Sequence, residues 1–244
     1  ILGARLQDLD AQLQQLERSL RPALEQAGRD SDDRVIASER GPLGEHEDGP
    51  DGEDPEGIVL HYTDTHTAQQ AIDGWERDDD PNGAHFVVDA DGSVKLTATT
   101  ATWVQHVGKI RSRCAEEGSC RPTAPRRGET VAQYNKRVSQ DEKRTKDYPE
   151  RYPTNQTSIG IEIANRHQGP RNREFYGPPN ALQLAAVKDL VRILAHVYSF
   201  DLRDVYAHGA IAIKTESEGV IDHYTQPRGG TAIQGQDPDA RPGD

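Results

Sequence analysis

Ser158-Ile159-Gly160-Ile161-Glu162-Ile163-Ala164 reads as an apolar strand carrying one carboxylate. Glu162 has apolar neighbours on both sides, so its side chain must face a cleft or bear a large desolvation cost. The plainer alternative is a solvent-facing position on a half-buried strand. In a cleft, beside an activated water, such a glutamate would be a natural general base.

The surrounding sequence supplies the rest of a sheet. Ile58-Val59-Leu60-His61-Tyr62-Thr63 is a short apolar strand, and Val205-Tyr206-Ala207-His208 a final one. His85 to Leu96 reads as a hairpin, with Asp91-Gly92 supplying the turn. Thr67 to Trp75 is a short helix. Ala181 to Tyr198 is a longer one, with Leu184, Val187, Leu190, Val191, Leu194 and Val197 on one face. Strands and helices intermix, which predicts an α/β fold: a central mixed β-sheet flanked by helices, with an N-terminal helical arm.

The arm is residues 1–29, where Leu2, Leu6, Leu9, Leu13, Leu16, Leu20 and Leu24 recur at helical spacing. Two readings stay open: a helix lying on its own domain, or a tether that meets a partner protein or a second copy. Residues 30–55 form an acidic linker rich in Gly and Pro, and 227–244 a flexible tail of similar make-up. The globular part is 56–226, with a charged insertion at 109–153.

The chain has 244 residues and a formal net charge of −12. A basic face for nucleic acid is not expected. No apolar run approaches the roughly 20 residues of a membrane span. The start, Ile1-Leu2-Gly3-Ala4-Arg5, is not a signal peptide, and the sequence contains no Met, so it reads as a processed product or a piece of a longer protein. Cys114 and Cys120 are the two cysteines. A disulfide between them is favoured over free thiols or a metal pair, and implies an oxidising compartment.

His61 and His208 each close an apolar strand, a rigid place from which a metal ligand can be aimed. With Asp222 they would form a His/His/Asp set that leaves zinc an open position. Taken singly, each histidine is more often structural than metal-binding.

Five segments occur in one order: Ile58–Thr63, Ala84–Gly92, Trp103-Val104-Gln105-His106-Val107-Gly108, Asn155–Glu162 and Ala207-His208-Gly209. In that order the sequence resembles the N-acetylmuramoyl-L-alanine amidases of the type-2 amidase and peptidoglycan-recognition-protein superfamily, over about 58–222. The most specific block is Asn155-Gln156-Thr157-Ser158-Ile159-Gly160-Ile161-Glu162. The resemblance implies zinc at one edge of the sheet, with His61 and His208 as ligands and Glu162 as the general base. His85 and His106 match histidines near the groove, as framework or substrate contacts, and Trp103 would line the same groove or pack in the core. The third ligand departs from pattern. Many relatives carry a lysine two residues before the ligand aspartate, and here that position is Val220, with Lys214 farther back. Asp222 is the first choice, Glu216, Glu218 and His223 remain alternatives, and Lys214 is the candidate oxyanion-stabilising cation.

The implied reaction is zinc-dependent cleavage of the amide bond between N-acetylmuramic acid and L-alanine in bacterial peptidoglycan, by a secreted or periplasmic protein. The alternatives are a non-catalytic wall-binding module, and an amidase carried by a phage tail or secretion apparatus.

Overall fold

The computed structural model describes residues 45–46, 55–77, 82–100, 103–170, 174–199, 201–221 and 225. The expected helical arm at 1–29, most of the linker, the tail at 227–244, and Asp222 and His223 lie outside the described residues. In chain order the elements are β1 (Glu45–His46), β2 (Gly57–Tyr62), α1 (Ala68–Arg77), β3 (Phe86–Val88), β4 (Val94–Leu96), β5 (Trp103–Val104), α2 (Arg113–Glu116), α3 (Val131–Thr145), β6 (Ser158–Ile163), β7 (His167–Gln168), β8 (Phe175–Tyr176), α4 (Ala181–Tyr198), β9 (Val205–Ala207) and α5 (His208–Ile211).

Five strands form the central sheet, in the order β4-β3-β6-β2-β9. β2 pairs in parallel with both β6 and β9, β3 pairs in parallel with β6, and β4 runs antiparallel at the edge. β2 and β6 are the innermost strands. Their near-continuous apolar runs suit positions covered on both faces. On one face, Ile58, Leu60, Tyr62, Ile159, Ile161, Ile163, Phe86 and Val88 meet Val187, Leu190, Val191 and Leu194 of α4. That helix starts at Asn180, whose side chain accepts from the amides of Leu182 and Gln183 while Gln183 reaches back, a reciprocal cap.

The opposite face carries a second apolar cluster: Val59 and Tyr206 from the sheet, with Val107, Ile110, Tyr152, Ala210 and Ile211. Ile110 and Tyr152 belong to the stretch read as a charged insertion. It is charged on its outside, yet its two ends are pinned into the core, and Arg151 pairs with Glu56 at 3.1 Å. Within it the expected disulfide joins Cys114 to Cys120. The turn of the β3–β4 hairpin spans Asp89 to Ser93, and Gly92 takes the positive φ of 83° it requires.

Two expectations shift in detail. Glu45–His46, inside the acidic linker, forms a short strand against Trp103–Val104. Main-chain pairing needs no apolar side chains, so composition could not show it. His61 lies inside β2 rather than at its end, and His208 opens α5 immediately after β9. Among the described residues, no helix is long and apolar enough to cross a membrane.

Leu194 is 1% exposed in the layer between α4 and the sheet. Leu194→Ala should cost about 2–5 kcal/mol in denaturant unfolding, the range for a large-to-small change in a packed core. A loss under about 1 kcal/mol would contradict this packing.

Candidate metal and hydrolytic site

Side chains alternate between the faces of a sheet. Ile58, Leu60 and Tyr62 are committed to α4, so His61 must point to the other face, and Glu162 follows in the same way from Ile159, Ile161 and Ile163. Register then brings them together. His61 and Glu162 are paired positions of β2 and β6, and Leu60 pairs with Ala207, so His208 emerges beside His61. The Nδ1 atoms of His61 and His208 lie 2.9 Å apart.

The third group comes from the loop after α5. Glu218 is folded back on this corner by two backbone bonds: its N–H donates to Thr215, and its carbonyl accepts from Gly209. Gly219 follows with φ 75°, and a Cβ there would lie 1.8 Å from the carbonyl oxygen of Leu60. The loop therefore sits directly on β2. Its position delivers Glu218 Oε1 to 2.7 Å from His208 Nδ1 and 4.0 Å from His61 Nδ1. Tyr62 secures the far side of the loop by donating to the carbonyl of Val220 at 2.7 Å.

His61, His208 and Glu218 are all buried, and among the described residues they form a group able to hold a metal ion. The separations of 2.9, 2.7 and 4.0 Å scatter around the spacing of ligand atoms on one small ion. Tetrahedral ligands at about 2.0–2.1 Å from zinc stand about 3.3 Å apart. The far nitrogens agree with this use. His208 Nε2 donates to the carbonyl of Val107 at 2.9 Å, and His61 Nε2 meets His106 Nδ1 at 3.0 Å. With protons held on both Nε2 atoms, both Nδ1 lone pairs face inward with a carboxylate oxygen, a donor set that fits a divalent cation. Burial, then His208, His106 and Lys214, hold the His61 imidazole well below its ordinary pKa and so in the neutral, ligating form.

Glu162 is half-buried as a residue, but its Oε2 is shut off from solvent and has no hydrogen-bond partner among the described residues. Burial, and then the charge of Glu218, push its carboxyl up to about 8, while Lys214 pulls the other way. Lys214 itself is exposed on the loop that carries Glu218.

The remaining expected residues take varied places. His85 is 1% exposed and its Nδ1 accepts from the Gly160 amide at 2.9 Å, a framework position. His106 is half-buried and touches His61 rather than open space. Trp103 is half-buried on β5. Asp222 lies outside the described residues, and among the described residues Glu218 is the carboxylate brought to the two imidazoles. The sequence reading assigned no roles to Asn155 and Gly160. Gly160 carried a signal, since glycine inside an apolar strand marks a close approach. A Cβ there would lie 2.8 Å from His106 Nδ1.

The buried Glu162 should appear in the pH dependence of metal-free stability. Its folded pKa near 8 lies above its ordinary 4.5, so the folded state binds the extra proton between those values. Stability from this group is full below about 4.5 and is lost as pH rises toward about 8. His61 and His106, whose pKa values are lowered, act in the opposite sense. The difference between native protein and Glu162→Gln isolates the glutamate. In denaturant unfolding without metal, the native chain should lose stability relative to the variant from pH 5 to pH 8, and parallel profiles would contradict a buried carboxyl.

The family model described as N-acetylmuramoyl-L-alanine amidase matches residues 51–222. No curated protein matches the chain in sequence. Among solved structures, it is similar to the Escherichia coli N-acetylmuramyl-L-alanine amidase AmiD in complex with anhydro-N-acetylmuramic acid-L-Ala-D-gamma-Glu-L-Lys, with 18% identity over 68% of this chain and 53% of that one and a TM-score of 0.43. It is similar to AmpDH3 from Pseudomonas aeruginosa, with 16% identity over 73% of this chain and 58% of that one and a TM-score of 0.45. It is also similar to the Drosophila peptidoglycan recognition protein SA, with 15% identity over 73% of this chain and 79% of that one and a TM-score of 0.40. The chain thus spans little more than half the length of the two bacterial proteins. With the family model matching well over half of its length, the chain belongs to the N-acetylmuramoyl-L-alanine amidase family.

Proposed function

We propose that this chain hydrolyses the amide bond between N-acetylmuramic acid and the first L-alanine of the peptidoglycan stem, with zinc held by His61, His208 and Glu218. The observation that carries the reading is the meeting of these three donor atoms on the sheet face where Glu162 also stands. Family membership supplies the substrate class.

Bound zinc would polarise the lactyl carbonyl and bring the pKa of water down toward about 7. The protein's own groups do the remaining work. Glu162 Oε2, uncommitted to any partner among the described residues, takes a proton from the attacking water. The water oxygen bonds to the lactyl carbon, the carbon–nitrogen bond breaks, and Glu162 returns the proton to the departing amine of L-alanine. His208 Nε2, committed to Val107, keeps its ring in one tautomer throughout. Lys214 places a positive charge near the reacting carbonyl, where losing an oxyanion-stabilising group typically costs about 100- to 1,000-fold in rate. Trp103, half-buried on β5, is the aromatic surface offered to the glycan or stem. The Cys114–Cys120 disulfide agrees with work outside the cytoplasm, at the wall itself.

Mass spectrometry of digested peptidoglycan tests the bond. Free stem peptides beginning with L-alanine, lost on chelation, are the expected product. Cuts farther along the stem would make the chain an endopeptidase, and muropeptide binding without release would make it a recognition module. Glu162→Gln should retain zinc and lose about 100- to 10,000-fold in turnover, as for removal of a general base. His61→Ala should lose metal and activity together. A Glu162→Gln protein with native turnover would remove that residue from the chemistry.

A further inference from the structure

We propose that Asn155 is a positioning residue that sets both ligand imidazoles at once, through the loop formed by His106, Val107 and Gly108. The inference rests on the reading that His61 and His208 hold a cation. It concerns how their direction is enforced.

Asn155 Oδ1 accepts three consecutive main-chain N–H groups, from His106 at 3.3 Å, Val107 at 2.7 Å and Gly108 at 3.3 Å. All three partners are donors, so only the oxygen of the side-chain amide can occupy that point. The gathered loop then presents two groups to the site. His106 Nδ1 meets His61 Nε2 at 3.0 Å, and the carbonyl of Val107 accepts from His208 Nε2 at 2.9 Å. Both second bonds of the ligand imidazoles therefore end on adjacent residues of one short loop, and one side chain organises that loop.

Two further features close the device. His106 is held from behind, its Nε2 lying 3.3 Å from both the carbonyl oxygen and the Oγ of Ser158. Its ring occupies space over Gly160 that a Cβ would fill. Gly108 turns the chain away with φ 67°, and its carbonyl is bound by Lys143 at 2.7 Å. Asn155 rides on the turn from Thr154 to Thr157, which runs directly into β6. The strand that carries Glu162 and the loop that aims the ligands are thus tied by the Asn155 amide together with the contacts of His106 to Ser158. Groups bonded to the far nitrogen of a metal-binding histidine orient the ring and tune its basicity. Here two such groups are coupled.

The test compares zinc affinity, by chelator competition, in the full native chain, Asn155→Ala and Asn155→Asp. Asn155→Ala should bind zinc about 10- to 100-fold more weakly, the range for loss of an outer partner of a metal ligand, and Asn155→Asp, which keeps the acceptor oxygen, should stay within about threefold of native. The visible spectrum of the cobalt(II)-loaded protein should change in Asn155→Ala and match native in Asn155→Asp. Native affinity in Asn155→Ala, or equal losses in both variants, would overturn the proposal. If Asn155→Ala does not fold, His106→Ala approaches the same route from its other end and should weaken zinc about tenfold, native affinity there again overturning it. A native chain that binds zinc but releases no stem peptide would defeat the enzymatic reading and leave this one standing. A native chain that takes up no zinc would defeat both.

Discussion

The register of β2 between β6 and β9 is the constraint on which the site depends. His61 meets Glu162 across one strand pair, and the step past Ala207 puts His208 on its other side. A slip of one residue would turn His61 into the layer beneath α4 and bring an isoleucine or leucine to the site face. The apolar pattern forbids that slip, because Ile58, Leu60 and Tyr62 would then leave the α4 layer. The packing of one face thereby positions the chemistry of the other.

That chemistry is a concentration of lone pairs. Two imidazole nitrogens and a carboxylate oxygen converge in a buried corner, with a second carboxylate nearby whose proton affinity is raised. A cation at the centre would resolve the conflict by giving all three donors one partner and by drawing the Glu162 carboxyl toward its charged form. The glycines are shaped to this end. Gly219 lets the Glu218 loop rest on the Leu60 carbonyl, and Gly160 leaves room for His106.

Much of this was legible in the sequence because it depends on local pattern. The strand around Glu162, the partner strand with His61, helix Ala181–Tyr198 and the Cys114–Cys120 pairing all follow from residues close together in the chain. The charged stretch 109–153 was harder to read, because only Ile110 at one end and Tyr148 and Tyr152 at the other join the core, far too sparse for a periodic signal. The position of Glu218 was harder still. Glu216, Glu218, Asp222 and His223 fall within eight residues of sequence, and the position of Glu218 among them is set by its backbone. Its path depends on the bond from Gly209 to the Glu218 carbonyl and on the close approach at Gly219. The role of Asn155 is a contact across nearly fifty residues and left no trace in local periodicity.

The central claim is that His61, His208 and Glu218 grip one metal ion. Anomalous diffraction at the zinc edge, from crystals of the native chain grown with zinc, tests it most directly. The account predicts a single strong peak within bonding distance of His61 Nδ1, His208 Nδ1 and Glu218 Oε1. A map with no peak between the two imidazoles, or a peak there with Glu218 turned away, would contradict it.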